Sequence, residues 1–339
     1  MFALVIRFLI PLLGVLVGLG LGLNPARAAA GDPPYRIYMI LWRGETEVER
    51  GFRQALAEFK LPVEFIVRDA NRDRRRIPAL VAEAKALRPD LVYTWGTPVT
   101  LGVVGEYDKA DPATHITDIP VLFTMVAAPL DARLVPELRA PGRNLTGTTH
   151  LVPVETQIKA IRAYRPLTRL GVIYNPAEPN SLANIRRLRE LSTTLQFELL
   201  AQPAPLDARG NPRADALPEL VARLARREPQ FLYIGPDTFV GDHRQTVIGE
   251  AIKYRLPAFT ATELEMRDGQ ALIGLVSRYD NLGRFTALKA RQILVDKKDP
   301  RDLPVEALSR FTYILNLGVA KRLTLYPPMN ILSYAEVIE

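Results

Sequence analysis

From Ile37 onward, short apolar runs rich in β-branched and aromatic residues alternate with longer stretches whose apolar positions recur every three or four residues. Ile37 to Trp42, Val63 to Val67, Leu91 to Trp95 and Val121 to Val126 predict buried strands, because they are nearly free of charge. Between the first two, Val48, Phe52, Ala55, Leu56 and Phe59 fall on one helical face, while Glu47, Glu49, Arg50 and Lys60 fill the other. The rhythm repeats in the second half. Strands are expected at Leu170 to Tyr174, Phe197 to Leu200, Phe231 to Ile234 and Ala258 to Ala261, with helices near 180–194, 214–227 and 243–254. Such alternation is what a parallel sheet covered by helices imposes, and two series predict two doubly wound, Rossmann-like α/β lobes. The seam falls around Gly147 to His150, after the Pro- and Gly-containing loop from Pro141 to Gly147.

Residues 1–28 break this rhythm. Arg7 precedes an apolar run from Phe8 to Leu23, and Ala26-Arg27-Ala28 offers a small-residue cleavage site, the pattern of a secretory signal peptide; the alternative is a transmembrane anchor, for which the run is short and interrupted by Pro11 and glycines. The chain of 339 residues carries a net charge of +7, and loss of Arg7 and Arg27 with the leader reduces that to +5. The densest basic patch, Arg72 with Arg74, Arg75 and Arg76, is interrupted by Asp73 and reads as a solvated helix start, so nucleic acid is not an expected partner. Cysteine is absent, which excludes disulfides, thiolate metal sites, a cysteine nucleophile and a lipid-carrying cysteine. His115, His150 and His243 are scattered, giving a metal cluster or histidine triad little material. No nucleophile elbow, zinc-protease helix motif or phosphate loop occurs, and neither a catalytic role nor a cofactor is expected.

In open parallel sheets ligands bind beyond the carboxyl ends of the strands. Those ends carry Trp42 to Glu45, Trp95-Gly96-Thr97-Pro98, Ala127-Ala128-Pro129, Tyr174-Asn175, Gly235 to Thr238 and Thr262-Glu263. Two readings fit several of them. Trp42 and Trp95 either pack beneath helices or form an aromatic cleft wall. Thr97, Asn180 and Ser181 either cap helices or, with the helix starts, hold a ligand carboxylate. Asp237 and Glu263 are placed to meet an ammonium group, although Asp237 also suits a helix cap, and His150 sits at the seam.

The segments Ile119 to Leu130, Pro141 to Gly147, Gly171 to Ser181, Tyr279 to Arg284 and Asn316 to Leu323, in that order, resemble the family of ABC transporter substrate-binding proteins that includes tryptophan- and tyrosine-binding members. The resemblance implies the type I periplasmic binding protein fold: two lobes joined by three crossovers, closing on a ligand by hinge motion. Lobe 1 would comprise residues 29–148 plus about 278–305, and lobe 2 residues 149–277 plus about 306–339. The implied partners are a small-molecule ligand and an inner-membrane permease, in the periplasm. Carried over by position, Gly96, Thr97, Pro98, Ala127 and Ala128 would line the first lobe, and Asn175, Asn180, Ser181, Asp237 and Thr238 the second. Family members usually have an Asp where this chain has Ala128, and Glu45 or Glu263 is the expected replacement. Trp42, Trp95 and Tyr174 suit a planar group, so the expected ligand is an amino acid, aromatic or otherwise apolar, or a related carboxylate. A secreted, transferase-like α/β enzyme using the same cleft, and a ligand sensor docking on a membrane receptor, remain alternatives.

Overall fold

The computed structural model describes residues 33–267 and 270–339, so the signal peptide expected over 1–28 lies outside the described residues. The first series runs β1 (Tyr35–Leu41), α1 (Glu47–Glu58), β2 (Val63–Asp69), α2 (Ile77–Leu87), β3 (Leu91–Trp95), α3 (Gly96–Val104), β4 (Val121–Thr124) and β5 (Leu145–Thr149). The second runs α4 (Val154–Tyr164), β6 (Arg169–Tyr174), α5 (Pro179–Thr194), β7 (Glu198–Pro203), α6 (Leu217–Ala225), β8 (Phe231–Ile234), α7 (Thr238–Asp242), α8 (Arg244–Lys253), β9 (Ala258–Thr260), α9 (Leu264–Arg267) and β10 (Ile273–Val276). There follow α10 (Tyr279–Leu294), β11 (Glu306–Ala307), β12 (Thr312–Asn316), α11 (Leu317–Leu323), α12 (Met329–Leu332) and β13 (Glu336–Ile338).

These strands form two sheets, ordered β11-β5-β4-β3-β1-β2 and β13-β12-β10-β9-β8-β6-β7. All pairings are parallel except β10 with β12. The chain therefore passes between the sheets three times: after β5, between β10 and α10, and between β11 and β12. Two doubly wound α/β lobes joined in this way are the type I periplasmic binding protein fold. Among the described residues no helix is long and apolar enough to cross a membrane.

Apolar packing explains why each lobe holds together. In the first sheet, Ile37 to Leu41, Leu91 to Tyr93 and Val121 to Phe123 are buried and share one core with α1 and α10. The second sheet is covered on its two faces by separate cores, one built around Tyr233 and Phe259, the other around Leu232 and Ile248. Helix α10 returns to lie on α1 at very short range, and glycines permit the approach. A Cβ on Gly283 would sit 1.9 Å from the Val48 carbonyl oxygen, and one on Gly51 would sit 2.3 Å from that of Asp280.

Polar bonds inside the first lobe fasten the returning segment. Thr148 and Thr286 hydroxyls lie 2.7 Å apart, and Thr146 Oγ1 donates to the Leu303 carbonyl at 2.9 Å. The buried Lys289 ammonium donates to the Pro304 carbonyl at 2.6 Å and to Glu306 at 2.7 Å. Satisfying each buried donor in this way avoids the penalty of an unpaired polar group. The same contacts hold residues 306–307 on the first sheet, placing the third crossing beyond Ala307.

Candidate binding cleft

Carboxyl ends of strands from both sheets converge on one hollow between the lobes. It is lined from the first lobe by Arg43 after β1, Trp95, Gly96 and Thr97 at the β3–α3 junction, Met125 and Ala127 after β4, and His150 after β5. The facing wall is formed by Asn180 in α5, Gly235 to Thr238 after β8, Gly241, and Thr262, Leu264 and Glu265 after β9, while Tyr279 at the start of α10 joins the first lobe's side. The empty space between these walls is about 440 Å³, a figure that includes open solvent.

Local structure explains the placement of each group. The turn from β3 into α3 uses a positive φ of 80° at Gly96, a conformation that disfavours any side chain. Helix α3 starts there without a side-chain cap, so its first N–H groups lack intrahelical partners beside the hollow. Across the gap, Asp237 caps α7 through Oδ1, which accepts from Val240 N at 2.9 Å. Its Oδ2 accepts from Asn175 N and Ser181 Oγ, both at 2.6 Å. One carboxylate thus fixes the loops after β6 and β8 and the start of α5 relative to one another. Glu178 adds to this anchor by accepting from Thr238 N at 3.1 Å and from the Thr238 hydroxyl. Burial, together with the neighbouring Asp237 charge, raises the Glu178 carboxyl above its ordinary range. Burial raises the Asp237 carboxyl too, against the bonds from Ser181, Val240 and Asn175 that pull it down.

Several lining side chains present polar atoms that the protein itself does not satisfy. Arg43 Nε, Trp95 Nε1, His150 Nδ1 and Asn180 Oδ1 are buried without hydrogen-bond partners. Native interiors rarely tolerate such atoms except where a ligand or water completes them. The Arg43 guanidinium lies 5.0 Å from the centre of the Trp95 ring, a cation–π contact between two lining side chains. His150 is 4% exposed, and burial lowers its imidazole to about 4, leaving a neutral ring at physiological pH. Among the described residues no group of three His, Asp or Glu side chains is arranged to hold a metal ion.

Of the residues expected from strand ends, helix starts and the seam, Trp95, Gly96, Thr97, Ala127, His150, Asn180, Asp237 and Thr238 line this hollow. Eight others do not. Trp42 packs into the first core and donates through Nε1 to Asp242 at 3.1 Å. Tyr174 packs against the second lobe's core. Asn175 turns its side-chain oxygen onto Ala177 N at 2.9 Å, and Ser181 is spent on Asp237. Pro98 is buried in the first turn of α3, and Ala128 lies in a turn closed by Ala132 N donating to its carbonyl at 2.9 Å.

Neither expected replacement for the Ala128 carboxylate reaches the hollow. Glu45 pairs with Arg53 at 2.6 Å. Glu263 is satisfied by Arg267 at 2.8 Å, Arg278 at 2.9 Å and Tyr279 N at 2.5 Å. Arg43, Glu265 and Tyr279 escaped sequence reasoning as site residues. Arg43 and Tyr279 had a usable signal, since one follows β1 directly and the other opens a family-like segment.

Two α/β lobes closing on a hollow lined with unsatisfied polar groups define a two-lobed solute-binding protein. Residues 43–338 match the description "ABC transporter substrate binding protein", and the chain belongs to that family. A tyrosine-binding protein from Clostridioides difficile is 25% identical over 285 residues, covering 82% of this chain and 76% of the relative. Among solved structures, a conserved domain protein from Vibrio cholerae superposes with a TM-score of 0.80 at 21% identity, covering 91% of this chain and all of that one (100%). An ABC domain in complex with L-Trp from Streptococcus pneumoniae gives a TM-score of 0.78 at 21% identity, covering 90% of this chain and 100% of the other.

Proposed function

We propose that the protein captures a small solute between its lobes in the periplasm, after export directed by residues 1–28, and delivers it to an inner-membrane ABC permease. The observation that carries this reading is the pairing of Arg43, Trp95 and His150 on one lobe with Asn180 on the other, each holding a buried polar atom that only a guest in the hollow, or water, would satisfy. The guest is an amino acid, aromatic or otherwise apolar, or a related carboxylate. Trp95 offers a ring edge and an N–H, and the start of α3 offers free N–H groups to an anion. Tyrosine binding by one relative and the L-Trp complex of one structural neighbour are in keeping with that class.

Closure follows from the geometry, because a molecule touching both walls favours the state in which the walls meet. The test is a thermal-shift screen of amino acids and small carboxylates, followed by calorimetry on each hit. A ligand selective for the folded state at one hundred times its Kd adds about 2.7 kcal/mol to stability, so a true solute moves the melting temperature by several degrees. Recovery of that solute unchanged by mass spectrometry separates capture from turnover. A broad panel without a single shift removes the proposal.

A further inference from the structure

One buried acid on the wall of the hollow has a carboxylate oxygen that no neighbouring side chain bonds among the described residues. Glu265, in α9, is 3% exposed and lines the hollow. Its Oε2 accepts from Thr260 Oγ1 at 3.2 Å and from the Thr262 hydroxyl. Among the described residues, no donor from another residue reaches Oε1, and Glu265 makes no ion pair. The nearby cation, Arg43, makes its ion pair with Asp242 at 3.2 Å, and its charge reaches Glu265 without a direct contact. Gly241 lies beside Oε1, where a Cβ would come within 3.2 Å of it, so the missing side chain keeps that oxygen uncrowded. Burial pushes the Glu265 carboxyl up, outweighing the threonine bonds and the Arg43 charge that pull it down.

We propose that Glu265 receives a protonated primary amine of the ligand, and so makes the cleft selective for amine-bearing solutes over their desamino counterparts. The assignment rests on the capture role proposed above. It also divides the cleft chemically: the ammonium meets Glu265 on the second lobe, while Trp95 Nε1, Arg43 Nε and the first N–H groups of α3 are left for a carboxylate on the first. A zwitterion spanning the two would link the lobes through its own opposite charges.

The experiment is calorimetry on the refolded full-length mature chain with L-tryptophan, L-tyrosine and L-leucine, each beside its desamino acid: indole-3-propionate, 3-(4-hydroxyphenyl)propionate and 4-methylpentanoate. Wild type is expected to bind at least one amine-bearing member more tightly than its partner by about 10- to 150-fold, the range of a hydrogen bond to a charged group. Glu265→Gln keeps the shape and the threonine contacts, and should bring the two members within about threefold, judged against that same range. Glu265→Asp, which withdraws the charge without removing it, should discriminate less than wild type, and it serves if the Gln variant fails to fold. Equal binding of a pair by wild type, or full discrimination retained by either variant, overturns the assignment to Glu265 and leaves capture standing. Failure of wild type to bind any of the three amino acids overturns the assignment together with the amino-acid reading of the cleft.

Discussion

Replacing Asp242 with Asn should open the molecule. Asp242 ends α7 on the second lobe, yet its carboxylate accepts from two donors of the first, Trp42 Nε1 at 3.1 Å and Arg72 Nε at 2.9 Å, and forms an ion pair with Arg43 at 3.2 Å. Arg43 and Asp242 side chains are only 8% and 9% exposed, whereas Arg72 is 54% exposed and contributes little once solvent screening is counted. The Asn side chain keeps the size and one acceptor for Trp42, so the change removes mainly the charge facing Arg43. Breaking a buried ion pair by removing one partner costs about 3–5 kcal/mol. That penalty falls on the closed form alone, because separated lobes return Arg43 to water, and nearby Glu265 offsets part of it. A net loss of about 2–3 kcal/mol shifts the closed-to-open ratio by roughly 30- to 150-fold. Small-angle scattering of the ligand-free variant should show a larger radius of gyration. The chain has two tryptophans, Trp42 and Trp95, one bonded to this carboxylate and one in the hollow, so emission should move to longer wavelength as they meet water. Scattering and emission that match wild type would refute the argument that Asp242 holds the lobes together.

Three further outcomes follow from packing and titration. His150 is held at about 4 by burial, below its unfolded value of about 6.5. The folded chain therefore binds fewer protons in that window; the contribution is complete above about 6.5 and is lost, up to about 3 kcal/mol, as pH falls toward 4. Urea midpoints of wild type and His150→Gln at pH 7 and 4.5 isolate this term from the opposite slope of Glu178, and parallel behaviour of the two proteins would contradict it. Ser181→Ala removes a 2.6 Å bond to the buried Asp237 carboxylate and should cost about 1.5–3 kcal/mol, read as a lowered urea midpoint; an unchanged midpoint would mean that Asp237 does not depend on it. Gly283→Ala drives a methyl group into the Val48 carbonyl and should destabilise by at least about 1–3 kcal/mol, whereas a neutral result would show that α10 does not lie on α1 at this range.

Apolar runs made the two sheets legible because buried parallel strands need continuous hydrophobic residues on both faces. All eight runs read as strands appear in the structure. Strand β5 was missed because Leu145-Thr146-Gly147-Thr148-Thr149 looks like a loop. Its hydroxyls find partners inside the lobe, at Leu303 and Thr286, which lie far along the chain. Gly147 reads as a turn residue, yet here it is needed for space, since a Cβ would come within 2.3 Å of Phe123. Strands β11 to β13 are two to five residues long and belong to sheets begun far earlier, so local pattern carries little trace of them.

The cleft shows where such reading stops. Strand ends were the right neighbourhood, because parallel topology delivers every βα loop to one edge of the sheet. Which acid in a loop faces the ligand is decided by cations supplied from elsewhere. Glu263 and Glu265 are two residues apart and equally acidic in sequence. Arg267 and Arg278 pair with the first, which precedes α9, and make no ion pair with the second, which lies within it. Arg43 could have neutralised Glu265, but Asp242 captures it, and Asp242 lies 199 residues further along. The field around Glu265 is thus a property of lobe closure as much as of composition: if the lobes part, Arg43 is released from Asp242, and its action on Glu265 changes with it. Selectivity and closure therefore share one arginine, and a variant that disturbs the Arg43 contact with Asp242 should alter both together.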